Sequence, residues 1–230
     1  MNQISKLLQL NNASFFTKET LSQIIGGSNK AIDDNILRWV KKGILLQLKN
    51  GLYVTNEYVN SLVNQEPFIE FIANILKKPS YLSCEYVLQK YGMLTESVFS
   101  ITSVSLKKTN MYRNKLGTFL YANIKEGLFT GYKILNRDGF EIKEATKAKA
   151  LFDFLYLRLW RVQEISKELI RSYRFNLIEF SSIDFQEFES YVQLTTLKKM
   201  KILPGLLKEI TDDRRRITIY CYQSKKTENA

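Results

Sequence analysis

Ser28, Asn29 and Lys30 are consecutive polar residues that immediately precede a segment with a helical pattern. The carboxamide of an asparagine can pair with an adenine edge, and the ammonium of a lysine can donate to guanine. Ser28 also suits a helix N-cap, because its hydroxyl can accept from the unpaired amides of the first turn. Proteins that read the major groove of DNA place their base contacts at such a helix start. These three residues are therefore our candidates for reading base edges.

Further polar and cationic residues follow this helix start. The residues predicted to hold the DNA backbone are Arg38, Lys41 and Lys42 along the helix. Lys49 and Asn50, at the tip of the next hairpin, are predicted to reach the backbone or the minor groove. Lysine and arginine supply most of the affinity for DNA by neutralising phosphates. Asp33 and Asp34 oppose this interpretation, because phosphate repels carboxylates, although a single acid can accept from cytosine N4.

The residue types give little support to enzyme chemistry. The chain has no histidine, which removes the commonest general base and metal ligand. Its two cysteines, Cys84 and Cys221, are too far apart to suggest a zinc site or a disulfide framework. The sequence offers no glycine-rich phosphate loop. We therefore expect no catalytic residue, no metal and no cofactor, and a protein that is not an enzyme.

A helix over residues 28–42 is needed to position the candidate readers. Apolar residues recur there with a 3.6-residue period, and a glycine follows that can end the helix. These residues are Ile32, Ile36, Trp39, Val40 and Gly43. The apolar runs 44–48 and 52–54 then flank Lys49-Asn50-Gly51, and Asn-Gly is the strongest short-range signal for a hairpin.

The preceding residues predict two more helices. An apolar pattern over residues 4–10 indicates the first. Thr17 can cap a second, which has Leu21, Ile24 and Ile25 on its apolar face before the turn at Gly26-Gly27. The order of helix, helix, turn, helix and hairpin predicts a winged helix-turn-helix over residues 1–60. Winged helices also serve as protein-interaction modules, which is the alternative for this unit.

Composition sets the limits of the remaining chain. With 230 residues, of which 45% are hydrophobic, it is long enough for two domains, which we place at 1–60 and 61–230. The net charge of +11 favours polyanionic partners. Because this charge is spread over the whole chain, solvated lysine-rich faces are the competing explanation.

The residue patterns over 61–230 predict a mixed α+β domain, with a small antiparallel sheet and a C-terminal helical bundle. The expected helices lie at 67–76, 83–91, 144–160, 162–170, 184–192 and 197–210, with a kink or split at Pro204-Gly205. Three or four antiparallel strands are expected within 97–142, and the residues 217–222 also have a β-like pattern. Lys149 and Asp153 form an i,i+4 pair, which is worth only a few tenths of a kcal/mol if it is exposed.

A second basic group lies between the first two of these expected strands. Lys107, Lys108, Arg113 and Lys115 are expected in one loop, where they are candidates for a secondary polyanion contact. Solvated surface charge is the more ordinary explanation.

Residues 1–10 lack the apolar stretch of a signal peptide, and no apolar run approaches the length of a membrane span. We therefore expect a cytoplasmic protein with no membrane partner.

Four segments resemble the AbiEi-type antitoxins of type IV (abortive infection) toxin–antitoxin systems. They are KNGLYV at 49–54, YLSCEYVLQKYGMLTES at 81–97, ITSVSLKKT at 101–109 and IKEATKAKALFDFLYL at 142–157, in the order of the family. Lys149, Ala150, Leu151 and Asp153 match the most recognisable helix of the family. One departure precedes that helix, where the family often has a Pro-Glu pair and this chain has Ala145-Thr146-Lys147-Ala148.

The resemblance implies two linked functions. The winged helix would repress the protein's own operon by binding repeated operator half-sites, and the second domain would counteract a nucleotidyltransferase-like toxin. A type IV system does not imply a stable complex with the toxin. The residues themselves leave two alternatives open: a winged-helix regulator with an effector or partner-binding domain and no toxin, and a replication-initiator-like or phage accessory DNA-binding protein.

Overall fold

The structure, a computed structural model, describes residues 7–94, 96–178 and 180–213. These residues form a mixed α+β fold that contains a small antiparallel sheet and a larger mixed sheet. The expected α+β class is therefore confirmed.

The first part of the chain builds the small sheet and the helices packed on it. A short 3-10 helix (Leu8–Leu10) precedes β1 (Phe16–Thr17), α1 (Lys18–Ile25), α2 (Asn29–Lys41), β2 (Leu45–Lys49), β3 (Leu52–Thr55) and α3 (Asn56–Ser61). The strands pair antiparallel in the order β1-β3-β2. The two helices and the hairpin predicted between residues 17 and 54 are confirmed, whereas most of the helix expected over 4–10 falls outside the described residues.

The hairpin contributes to two clusters of buried side chains. The smaller cluster joins Leu21, Ile32 and Trp39 of the two helices to Leu45 and Tyr53 of the hairpin. Alternate hairpin residues belong to the larger cluster of the second part, and these are Leu46, Leu48, Leu52 and Val54. Because successive residues of a strand face opposite sides, one hairpin can contact both cores.

The second part of the chain is built on a six-stranded sheet. Its elements are α4 (Glu66–Leu76), β4 (Ser80–Leu82), α5 (Cys84–Lys90), β5 (Ser100–Ser105), β6 (Asn110–Asn114), β7 (Gly117–Asn123), β8 (Tyr132–Arg137), β9 (Phe140–Ala145) and α6 (Lys147–Leu159). The strand order is β6-β7-β5-β4-β9-β8. Two of the pairings, β5 with β7 and β4 with β9, are parallel.

Helices cover both faces of this sheet. Tyr81 of β4 lies opposite Val104 in the register, and Val104 lies opposite Ala122. Tyr81 therefore shares a face with Ala122, and its hydroxyl donates to Asp153 of α6. The preceding residue of β7, Tyr121, points to the other face, where its hydroxyl donates to the Ala73 carbonyl of α4.

Two expectations about the second part are wrong. The larger sheet is mixed rather than antiparallel, because parallel pairs join strands that are separated along the chain. The residues expected to form one basic loop include a further strand, β6, which pairs with β7. The helices expected at 67–76, 83–91 and 144–160 are confirmed, with α6 beginning at Lys147 after its cap Thr146.

Helical segments complete the described chain. They are α7 (Lys167–Ser172), α8 (Ser182–Leu194), a 3-10 helix (Lys198–Ile202) and α9 (residues 203–213). The helix expected over 162–170 is displaced, because Ser166 caps α7 by accepting from the Leu169 amide at 3.2 Å. The expected split near Pro204 is confirmed. The expected C-terminal bundle stays a prediction, and the β-like run at 217–222 lies outside the described residues.

Candidate nucleic-acid interface

Helix α2 is fixed at both ends by the residues that the sequence indicated. The hydroxyl of Ser28 accepts from the Ala31 amide at 3.3 Å, which satisfies one of the unpaired donors of the first turn. Gly43 follows the helix with φ +69°, a left-handed conformation that a glycine adopts without steric cost. Ile32 and Trp39 are buried against α1 and the hairpin. The orientation of α2 is thus set by its apolar stripe.

Helix α1 and the turn before α2 complete this local arrangement. Thr17 caps α1 by accepting from the Thr20 amide at 3.3 Å. Gly26 and Gly27 have φ values of +71° and +112°, so the turn between the helices uses backbone conformations that other residues rarely adopt. Sequence reasoning therefore located both helix starts and the turn correctly.

The outer face of α2 presents two lysines, one carboxylate and one apolar side chain. A period of 3.6 residues places Lys30, Asp34, Leu37 and Lys41 opposite the buried stripe, and all four are exposed. Lysines can donate to guanine or phosphate, and an apolar side chain such as that of Leu37 can contact the methyl group of thymine. Lys30, Leu37 and Lys41 are thus of the types that contact bases and phosphates, whereas phosphate would repel the Asp34 carboxylate.

Two flanking residues of α2 are held by neighbours. Asp33 forms an ion pair with Lys18 of α1 at 2.6 Å, which reduces the repulsion that its carboxylate would exert on phosphate. The Arg38 guanidinium donates to the Asn35 side chain at 2.6 Å. Sequence reasoning missed Lys18, because the two partners are 15 positions apart and meet only when α1 packs beside α2.

The remaining predicted residues of this unit differ in their exposure. Asn29, Lys42 and Asn50 are exposed, as a contact with DNA requires. Lys49 is partly buried, and its ammonium donates to the Leu76 carbonyl at the end of α4, at 2.8 Å. Burial, followed by repulsion from Lys107 and Lys78, lowers the pKa of Lys49. The expectation that Lys49 reaches outward from the hairpin tip is therefore corrected.

The second predicted group is divided between three local structures. Lys107 and Lys108 are exposed in the loop after β5, Arg113 lies within β6, and Lys115 lies in the turn between β6 and β7. The expectation of a single loop is wrong, because residues 110–114 pair with β7. Sequence reasoning missed Lys77 and Lys78, whose pattern indicated only the end of a helix.

A buried ion pair lies within helix α6, and a hydrogen bond from Tyr81 of β4 connects it to the large sheet. Lys149 and Asp153 of α6 are 2.6 Å apart, and neither side chain is exposed. Asp153 also accepts from the hydroxyls of Tyr81 and Ser83 at 2.9 and 2.7 Å. Burial raises the pKa of Asp153, although Lys149 and the hydroxyl donors act in the opposite direction. Because solvent does not reach this network, each of its charges depends on the other and on the hydroxyl donors for compensation.

A second network holds two buried carboxylates next to two cations. Arg137 contacts Glu70 at 2.6 Å and Glu144 at 2.8 Å, and Lys90 also contacts both.

Cys84 is buried too, and desolvation raises the pKa of its thiol well above its ordinary value. A thiolate is disfavoured at such a site. Within the described residues, no group of three or more His, Cys, Asp or Glu side chains is arranged to bind a metal.

No protein-family model matches the chain, and no curated protein matches it. In the described ranges, no helix combines the length and the apolar character needed to cross a membrane.

Proposed function

We propose that this chain binds DNA through helix α2, as a winged helix-turn-helix in which the β2–β3 hairpin is the wing. The observation that carries the proposal is the outer face of α2, where Lys30 and Lys41 are exposed on a helix that is capped and rigidly packed. The Gly26-Gly27 turn and the following hairpin support the same arrangement.

Binding to DNA is tested with the full chain and two duplexes, one from the region upstream of its own gene and one of scrambled sequence. Replacing Lys30 and Lys41 with alanine should weaken binding to the upstream duplex about tenfold or more, at roughly 1–3 kcal/mol for each lost base contact. The preference for the upstream duplex should fall as well. Fluorescence anisotropy at several salt concentrations measures both quantities.

The matched control replaces two exposed lysines of the second part, Lys133 and Lys201, with alanine. This variant loses the same charge, and its affinity should stay close to that of the unmodified protein. If the variant lacking Lys30 and Lys41 binds as tightly as this control, α2 is not the reader.

The resemblance to AbiEi-type antitoxins supports a more specific proposal. The chain would repress its own operon at repeated operator half-sites and counteract a nucleotidyltransferase-like toxin through residues 61–230. Co-expression with the product of the neighbouring gene tests this role, and rescue of growth is expected. If that product is toxic and the full chain, expressed and folded, leaves the toxicity unchanged, the antitoxin proposal fails.

A regulator with an effector domain is a second candidate, and a cleft in the second part of the chain favours it. The cleft has a volume of about 470 Å³ and lies between α5, α6 and the sheet. Its apolar lining includes Met111, Leu120, Phe154 and Leu157, and the cleft also contains the ion pair of Arg158 with Glu85, at 2.6 Å. Such a cleft is typical of a small-molecule site. A metabolic operon around the gene would favour this candidate, whereas an adjacent nucleotidyltransferase gene favours the antitoxin.

A further inference from the structure

Three stretches of the chain without any acidic residue meet beside the hairpin. They are residues 35–56, 71–84 and 97–125, each of which contains lysines and neither Asp nor Glu. Basic residues that converge without acids give a strongly positive local potential. We call the place where the three stretches meet the junction surface. It consists of the exposed Lys78, Lys107 and Lys108 and of Lys49 and Lys77, which are less exposed.

Hydrogen bonds hold these stretches against one another. The Lys49 ammonium donates to the Leu76 carbonyl at 2.8 Å, and the Lys77 ammonium donates to the Lys108 carbonyl at 2.5 Å. On the other side of the hairpin tip, the Asn114 side chain donates to the Leu48 carbonyl at 2.9 Å. The ammonium groups of Lys49 and Lys77 are therefore held by backbone carbonyls, and these bonds keep the three stretches together.

Their charges are not compensated by ion pairs. Among the described residues, no carboxylate lies within ion-pair distance of Lys49, Lys78 or Lys107. Glu141 lines the same small cleft as Lys78 without forming such a pair. Burial lowers the pKa of Lys77, and repulsion from Lys107 lowers it further. The like charges are held together by the fold, and an anion at this surface would reduce their repulsion.

The hairpin tip places the junction surface next to helix α2. The backbone amide of Lys18 donates to the Gly51 carbonyl in the tip, at 3.2 Å. The side chain of the same lysine pairs with Asp33 of α2, at 2.6 Å. The tip is therefore in contact with the α2 side of the molecule through Lys18, and with the junction surface through Lys49.

We propose that the junction surface binds the phosphate backbone of the same DNA duplex whose groove is contacted by α2. Exposed Lys78, Lys107 and Lys108 contact phosphates directly, whereas Lys49 and Lys77 add positive charge beneath them. Contacts with phosphate position a protein on DNA without reading sequence. The second part of the chain therefore contributes affinity, and α2 contributes sequence preference. This inference rests on the proposed DNA binding by α2.

The test replaces Lys78, Lys107 and Lys108 with alanine in the full chain. The triple variant should bind the upstream and scrambled duplexes at least tenfold more weakly, with the ratio between the two unchanged. The slope of log affinity against log salt should become smaller by about 2 to 3, since each phosphate contact contributes about 0.9. The control replaces three exposed lysines elsewhere, Lys133, Lys198 and Lys201, and should lose less than twofold.

The outcomes separate this inference from the proposed function. If the junction variant and its control bind equally, the junction surface is not a DNA contact, although the α2 proposal stands. If the junction variant loses affinity and the variant of Lys30 and Lys41 does not, the α2 proposal is refuted, and the inference that both surfaces bind one duplex fails with it, although the junction lysines contact DNA. Absence of binding by the unmodified chain overturns both, and tighter binding to the matching RNA duplex overturns the choice of DNA.

Discussion

The buried Lys149 shows how a single residue can determine the packing around it. Its ammonium is bonded to Asp153 at 2.6 Å and to the Leu128 carbonyl at 2.7 Å. The rings of Phe152 and Tyr191 lie 4.8 and 5.1 Å from it. A charge removed from water is tolerated only when it is paired and hydrogen-bonded, and these contacts meet that requirement.

Replacing Asp153 with asparagine should reduce the free energy of unfolding by about 3–5 kcal/mol, because Lys149 would remain buried without its counter-charge. Unfolding in urea measures this loss. The control is Lys208→Met, which removes one partner of an exposed pair with Glu189 and should cost at most about 1 kcal/mol. A similar loss in the two variants would show that the buried pair has no special weight.

The spacing of Lys149 and Asp153 was readable in the sequence, but their burial was not. An i,i+4 pair has the same spacing on an exposed or a buried helix face. Asp153 is bonded to Tyr81 and Ser83, which are about 70 positions away in the chain. Lys49 illustrates the same limit, since its partner carbonyl belongs to Leu76. Contacts of this kind depend on tertiary packing, which local patterns do not encode.

At the scale of elements, one ionic network joins two helices to two strands. Glu70 of α4, Lys90 of α5, Arg137 of β8 and Glu144 of β9 form a closed set of contacts. Burial by itself would raise the pKa of Glu144, but hydrogen bonds from Arg137 and Lys90 outweigh it, and the pKa is lowered overall. The network therefore stabilises the ionised form of Glu144.

This shift predicts how stability depends on pH. The unfolded chain holds a proton on Glu144 up to a pKa of about 4.3, whereas the folded chain releases it at lower pH. Between the two values the unfolded state binds more protons, so this contribution is complete above the unfolded pKa and lost as pH falls through the folded one. Glu144→Gln should be less stable at neutral pH and should lose less stability in acid.

Urea unfolding at a series of pH values below neutrality measures the effect. Glu141→Gln is the matched control, because Glu141 lies on the same strand and is exposed. Its stability should follow that of the unmodified chain. Parallel pH profiles for Glu144→Gln and the unmodified protein would contradict a stabilising role for the ionised Glu144.

Helices were easier to predict than the arrangement of strands. Caps such as Ser28 and Thr17 and the stripe along α2 are local signals, and both ends of that helix follow from them. Strand β6 was missed because it is an edge strand without any buried residue, so its sequence carries no alternating apolar pattern. Strands β5 and β7 are direct neighbours in the sheet, although β6 lies between them in the sequence. The periodicity of each segment does not reveal which strands pair.

At the scale of the whole molecule, the hairpin links two hydrophobic cores. Tyr53 and Leu45 belong to the smaller cluster, whereas Leu48 and Val54 belong to the larger one. The domain boundary at residue 60 stays a prediction, since the elements on its two sides share the hairpin. A shared element of this kind transmits the loss of one core to the other, because its strands cannot unpair without exposing both faces.

We therefore expect the two parts to unfold together. The chain has two tryptophans, Trp39 buried on α2 and Trp160 exposed after α6. In a Trp160→Phe variant, fluorescence reports only on the first part, while circular dichroism reports on all helices. The two signals should have the same midpoint in urea.

Leu48→Ala, which opens a cavity in the larger core, should lower both midpoints equally and cost about 2–5 kcal/mol. A fluorescence transition that stays in place while the circular dichroism transition moves would mean that the hairpin does not couple the cores.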